Sequence, residues 1–306
     1  MLATSALVGE GKGTGVVEKG PGRERHSLPT LASVGGGAQG IATVTAVDVT
    51  ERFAALMSRP GGVAPLDEAA LLIAAHARPG LDVEAEQFRL DDLAAGVAAP
   101  TLDALRTHLF CELGYTGNSI DYYDPRNSYL DQVVERRIGI PITLCVLMLE
   151  IGRRIGVPLA GVSMPGHFLV RDKVDPEVFV DPFARGATLD RGAVEAQFRA
   201  SQQPGATFDP AFLEPVPVAI VVARMLANLD VIAAARADRT MLEWVVRLRV
   251  CMPGASASLH RRLSAVLAAR GSFDDAADVL ERLGDPQAGG GPGDLTSARR
   301  LRARLN

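Results

Sequence analysis

At 306 residues, 47% apolar and 22% charged, the chain has material for a large core and for two folded units. A net charge of −4 with a pI near 5.8 gives no electrostatic basis for binding nucleic acid or an anionic membrane surface. Basic pairs such as Arg136–Arg137, Arg153–Arg154 and Arg299–Arg300 read as solvated helix faces. Three widely spaced cysteines, Cys111, Cys145 and Cys251, make neither a disulfide framework nor a zinc spacing, so a reducing compartment is expected and no metal or cofactor is. The apolar start Met1–Val8 lacks the basic lead of a signal peptide, and no apolar run reads as the roughly 18–20 residues of a membrane span. A cytoplasmic protein with no membrane partner is the expectation.

Residues 1 to about 45 are rich in Gly, Ser, Thr and Ala. The Gly-Pro-Gly at 20–22 and the triple glycine at 35–37 predict an extension that stays disordered or precedes the true start. Helical spacing begins near Val49. It continues through Pro65–His76, with acidic residues in its first turn, then Leu81–Val97 and a Thr101-capped segment reaching Leu113. His76 and His108 fall on these helices among apolar neighbours and read as packing or surface histidines.

Gly114–Ser128 is a polar, aromatic, turn-rich loop, a common place for function. Its Tyr122, Tyr123, Asp124 and Asn127, together with Pro141 further on, are candidate pocket residues, and capping the helix that begins near Tyr129 is the structural alternative for the loop. Gly139-Ile140-Pro141 opens a strongly apolar helix to about Ile155, with Pro141 suited to the first helical position. Leu159–Met164, His167–Arg171 and Val178–Asp181 then read as short strands. From Val216 the pattern is helical to the end. Ala234-Ala235-Arg236 and Ala268-Ala269-Arg270 lie 34 residues apart, each between two helical runs, which is the period of a tetratricopeptide repeat. Ala237 stands where the second copy has its turn glycine, Gly271. Two ordinary helical hairpins are the alternative. Two copies are too few to stand alone, so the tail is expected to pack on the central domain.

Nucleophilic cysteine catalysis needs a thiolate, an imidazole to receive its proton and a group orienting that imidazole. A hairpin joining 167–171 to 177–181 would set His167 opposite Asp181, within hydrogen-bond reach. Cys145 is the cysteine nearest in sequence order. It lies in the second helical turn, opposite the polar stripe of Thr143, Glu150 and Arg154, as a packing thiol would.

Four motifs, Asp121-Tyr-Tyr-Asp-Pro-Arg-Asn-Ser-Tyr-Leu, Arg136-Arg-Ile-Gly-Ile-Pro-Ile-Thr-Leu, Gly161-Val-Ser-Met-Pro-Gly-His-Phe-Leu and Val180-Asp-Pro-Phe, resemble the SirB-type branch of the transglutaminase-like superfamily. The resemblance runs from about residue 65 to 285. It implies an α+β, papain-type core of helix plus antiparallel sheet, with a helical lead-in and a tetratricopeptide-like tail. It also implies a Cys–His–Asp triad for acyl transfer or amide hydrolysis, with His167 and Asp181 in the second and third places. The superfamily nucleophile sits in a Gly-x-Cys that opens the helix. Here that position is Pro141, and Cys145 is one turn further in, about 6 Å along the axis.

The expected organisation is a disordered extension over 1–45, a transglutaminase-like domain with its lead-in over 46–213, helical repeats over 214–285 and a Gly-rich linker with a short helix over 286–306. Three functional readings follow. The first is a degenerate scaffold that binds a protein or peptide partner, with the tail as a second contact surface. The second is a cysteine acyltransferase or peptidase using Cys145, His167 and Asp181. The third is a noncovalent site built from Tyr122, Tyr123, Asp124, Asn127 and His167.

Overall fold

Helix signals in the lead-in translate directly into structure. The computed structural model describes residues 46–59, 64–284 and 289–304; the extension expected over 1–45 lies outside them. The lead-in forms α1 (Ala46–Met57), α2 (Leu66–Ala77), α3 (Val83–Ala95) and α4 (Leu102–Arg106), the last running on through a π-helical turn to Glu112. Asp82 caps α3 through the Glu84 and Ala85 amides, and Thr101 caps α4 through Ala104. After the 114–128 loop come α5 (Leu130–Arg136) and α6 (Pro141–Ile155). Pro141 occupies the first position of α6, and Gly156 ends it at φ +78°.

α6 is the pillar of the domain. Eleven of its fifteen residues are buried, because α2, α3, α4 and α5 cover one side while the sheet covers another. That sheet is a four-stranded antiparallel meander, β3 (Leu159–Val162), β4 (Leu169–Asp172), β5 (Phe179–Asp181) and β6 (Ala187–Leu189). Alternation from Phe168 into β4 splits the sheet's faces: Phe168 and Val170 join the α6 core, while Leu169 joins Val162, Met164, Phe179, Val194 and Phe198 on the other side. The second layer is α7 (Arg191–Ser201), capped by Asp190. A two-residue parallel pair, β1 (Thr116–Gly117) with β2 (Ile138–Gly139), pins the 114–128 loop to the chain entering α6. The mixed α+β class expected from the sequence is the one observed.

Two helical hairpins follow, α8 (Val218–Ala235) with α9 (Arg239–Val250) and α10 (Ala257–Ala269) with α11 (Phe273–Leu283), then α12 (Pro292–Arg302). Val221, Met225 and Leu229 of α8 and Met241, Val245 and Leu248 of α9 belong to the same core as α6. His76 of α2 stacks on Trp244 of α9 with ring centroids 5.4 Å apart. Burial, aided by the Arg247 charge, drives that imidazole down to about 4. α8 also corrects one expectation: by length and composition it is apolar enough to cross a membrane. Its inward residues here are core.

Candidate functional site

The site is built on the end of β5. Pro182 stops the strand, and Asp181 Oδ1 accepts from the Phe183 and Ala184 amides at 3.0 and 3.1 Å, the self-bonded turn an aspartate favours. That fixes the carboxylate and leaves Oδ2 to accept from His167 Nε2 at 2.9 Å and from Gln197 Nε2 of α7 at 3.0 Å. Asp181 is 3% exposed. Burial works to raise its pKa, but the bonds from His167, Gln197 and Ala184 outweigh it, and the carboxyl is held below its ordinary value. An ionised Oδ2 requires His167 Nε2 to carry a proton, so the neutral ring keeps its lone pair on Nδ1. The pair is therefore an oriented imidazole with one acceptor nitrogen to spare.

His167 reaches Asp181 by a route the sequence reading did not foresee. The register pairs Val170 with Val180 and Arg171 with Phe179, so Leu169 rather than His167 falls opposite Asp181. β4 starts only at Leu169 because Met164-Pro165-Gly166-His167 is a tight turn closed by His167 N–H to Met164 O at 3.1 Å. Pro165 at its second position and Gly166 at φ +80° at its third are what a type II turn requires. The imidazole swings back from this turn onto the carboxylate.

Cys145 lies behind the site. It is fully buried and its Sγ donates to the Phe168 carbonyl at 3.3 Å, not to His167. Burial, reinforced by the Asp181 charge and only partly offset by Arg224, pushes the thiol well above its ordinary value. Pro141 is buried at the opening of α6, with no side-chain cap at the preceding Ile140.

The 114–128 loop divides its candidates. Asn127 is fully buried, with Nδ2 bonded to the Asp121 and Tyr122 carbonyls at 2.7 and 3.3 Å and Oδ1 accepting from Asn118. Its own carbonyl takes Thr143 Oγ1 at 2.7 Å, tying the loop to α6. Asp124 caps the short Pro125–Ser128 turn and pairs with Arg126 and Arg136. Against the opposing pull of burial, the Arg126 bonds hold its carboxyl below the usual range. The polar atoms of both residues are thus committed to bracing the loop. Tyr122 instead packs edge-on to Phe183 at 6.2 Å and to Tyr123 at 5.3 Å. Phe183 in turn fills the space over Gly117, where a Cβ would lie 2.4 Å from its ring. The aromatic end of the loop is held beside the Asp181 turn, with Tyr123 on the solvent side.

Two residues escaped the sequence reading. Gln197 left no signal, since an isolated glutamine on an amphipathic helix is ordinary. Arg224 did leave one: it and Asp230 are the only charges in the apolar run Val218–Ala235. From α8 its Nη1 reaches Ser163 Oγ at 2.8 Å and Met164 O at 2.9 Å, with the guanidinium 5.7 Å above the Phe168 ring. Among the described residues no three His, Cys, Asp or Glu side chains gather as metal ligands.

A family model for the transglutaminase-like superfamily matches residues 74–227, half of the chain. A UPF0162 protein of Xylella fastidiosa is 42% identical over 183 residues, covering 56% of this chain and 65% of that one. A UPF0162 protein of Vibrio cholerae is 34% identical over 120 residues, covering 39% and 44%. Human F-box only protein 21 is 36% identical over 137 residues, 42% of this chain and 21% of its own. The chain spans less than two thirds of the length of each of these relatives. The matched segment contains α6, the sheet, His167 and Asp181, and the start of α8 with Arg224; the chain belongs to the transglutaminase-like superfamily.

Proposed function

We propose that this chain is a catalytically degenerate transglutaminase-like protein of the SirB-type branch, which binds a protein or peptide partner beside His167 and Asp181 in a regulatory role in the cytoplasm. One observation carries the reading: the thiol nearest the His–Asp pair is sealed in the core. Cys145 is fully buried, donates a hydrogen bond to the Phe168 carbonyl and is pushed away from ionisation by burial. A nucleophile must be a thiolate with access to its substrate. The helix-opening place that the superfamily gives its cysteine holds Pro141, which has no nucleophile. What is left beside the pair is recognition chemistry: an oriented, largely buried imidazole, a half-buried guanidinium and the exposed Tyr122 and Tyr123. The tail supplies a second contact surface as tetratricopeptide-like repeats. In support, Ala237 and Gly271, 34 residues apart, both take a left-handed conformation at the turns of successive hairpins.

A second reading, a cysteine-dependent acyltransferase or peptidase using Cys145, His167 and Asp181, is favoured by the bond from His167 Nε2 to an ionised Asp181. That is how an acid–base histidine is held. Alkylation of the native protein near neutral pH, mapped by mass spectrometry, separates the two. Exposed Cys111 should label readily while Cys145 labels only on unfolding. Fast labelling of Cys145, slowed in His167→Ala, would sink the degenerate reading and install the enzyme.

A further inference from the structure

Arg224 is a cation in an unusual position. It is half-buried on an apolar helix, and no carboxylate among the described residues pairs with it. Its other electrostatic neighbours are the Tyr122 hydroxyl and the Cys145 thiol, both neutral at physiological pH. Burying a guanidinium without a counter-charge is costly, and most such groups are paired. Asp230, the other charge on α8, shows the usual arrangement: it is buried and clasped by Arg249 and Arg262.

Its location ties it to the site. The Met164 carbonyl that closes the turn carrying His167 is the same oxygen that accepts from Arg224 Nη1. Phe168, adjacent to His167, lies under the guanidinium plane. Both of its hydrogen bonds use Nη1, so the turn holds one corner of the planar fork and the Nε–Nη2 edge makes no bond with another described residue. Tyr122, which packs on Phe183 beside Asp181, lies within the field of that charge. A guanidinium fixed at one corner with a free edge is the geometry that receives a carboxylate side-on.

We infer that Arg224 is the carboxylate anchor of this site, gripping an acidic side chain or the chain terminus of a bound peptide next to His167. The inference rests on the surroundings of His167 and Asp181 being a binding site, as proposed above. It adds the chemical class of the ligand. Arg224 is placed by its Ser163, Met164 and Phe168 contacts, so it needs no movement to accept the anion.

Three small probes test it by NMR titration of the full chain, read at the His167 ring and the Arg224 Nε–H. N-acetylglycine offers a terminal carboxylate, N-acetylaspartate N′-methylamide a side-chain carboxylate, and N-acetylglycinamide neither. One or both acids should shift the two signals saturably, and the tighter of them identifies the source of the anion. The amide should bind at least about tenfold more weakly, the loss of a charge-assisted pair. Arg224→Gln should abolish the saturable shift at the His167 ring. Arg224→Lys, which keeps the charge but not the fork, should weaken it several-fold. Equal responses to acid and amide in the unmodified protein would overturn the assignment, whether or not a variant folds. So would a shift as large with inorganic phosphate, or an unaltered titration in Arg224→Lys. Cys145 labelling does not enter these measurements, so the anchor and the degenerate reading fail independently.

Discussion

Asp181 and Cys145 sit on neighbouring elements of one core, both almost fully excluded from water, and burial opposes ionisation of each. Their outcomes are opposite because their neighbours differ. The end of β5 gives Asp181 four donors: two backbone amides in its own turn, His167 and Gln197. Together they outweigh desolvation and keep the carboxylate charged. The second turn of α6 gives Cys145 one acceptor, the Phe168 carbonyl, and a surround of leucine, valine and methionine. An acceptor stabilises the protonated thiol and does nothing for a thiolate. The end of β5 is therefore built as a polar device and this turn of α6 as a packed wall. Burial alone does not decide whether a group can do chemistry; the number and sign of its hydrogen-bond partners do.

The contrast is broken most forcefully from the polar side. Asp181→Ala strands His167 Nε2, Gln197 Nε2 and the two turn amides in a nearly water-free site. Urea unfolding should show a loss of about 3–5 kcal/mol, the cost of removing one member of a buried, hydrogen-bonded pair. A loss under about 1 kcal/mol would mean that water enters the site and that the four-donor arrangement is looser than described. Gly117→Ala attacks the same region from the loop. Its new methyl would meet the Phe183 ring, one residue beyond Pro182. Overpacking of this kind costs about 1–3 kcal/mol. The displaced ring should also change the near-UV signal of Tyr122, which packs against it.

From the wall side the effect should be smaller. Cys145→Ala removes one sulfur and leaves the Phe168 carbonyl without that donor, a loss of about 1–2 kcal/mol. The His167 ring resonances should hardly move, since no bond joins His167 to the thiol. A large change in the His167 titration on this substitution would show that the two sides are coupled, and would restore the triad reading.

How far this arrangement is legible in sequence follows the same division. The lead-in helices, α6 and the burial of Cys145 announce themselves through capping residues, Pro141 and apolar periodicity, because those signals are local. His167 and Asp181 are legible as partners through their motifs, but the hairpin drawn to join them is out by two residues. Strand pairing depends on where the Pro165–Gly166 turn releases the chain, and a short apolar run does not reveal that. β6 and α7 leave no clear sequence signal, β6 being only three residues long and α7 having an ordinary amphipathic pattern. Arg224 is 57 residues beyond His167 on a helix that folds back against the turn. Only tertiary packing brings it there, although a lone basic residue in so apolar a helix is a flag worth following.

The gentlest probe of the comparison is pH. Asp181 has a folded pKa below its unfolded value of about 3.9. The folded state therefore binds this proton less readily than the unfolded chain does. The stability that results is fully present above about pH 4 and is lost as pH falls from there through the depressed folded value. Burial offsets part of the hydrogen bonding, so this is the smallest of the effects described. Other carboxylates titrate in the same range, so the quantity to measure is the stability difference between the natural protein and Asp181→Asn, by urea unfolding at about pH 7 and again near pH 3. That difference should narrow on acidification, because a protonated Asp181 loses the charge that the asparagine variant never had. If it stays constant down to about pH 3, the carboxyl binds its proton equally well in the folded and unfolded states and the hydrogen bonds do no more than offset burial; if it widens, burial has won and the folded pKa is raised. The His167 ring gives an independent reading: with the carboxylate charged, its Nε2 proton should stay hydrogen-bonded and visible, and with a neutral partner it should exchange with water.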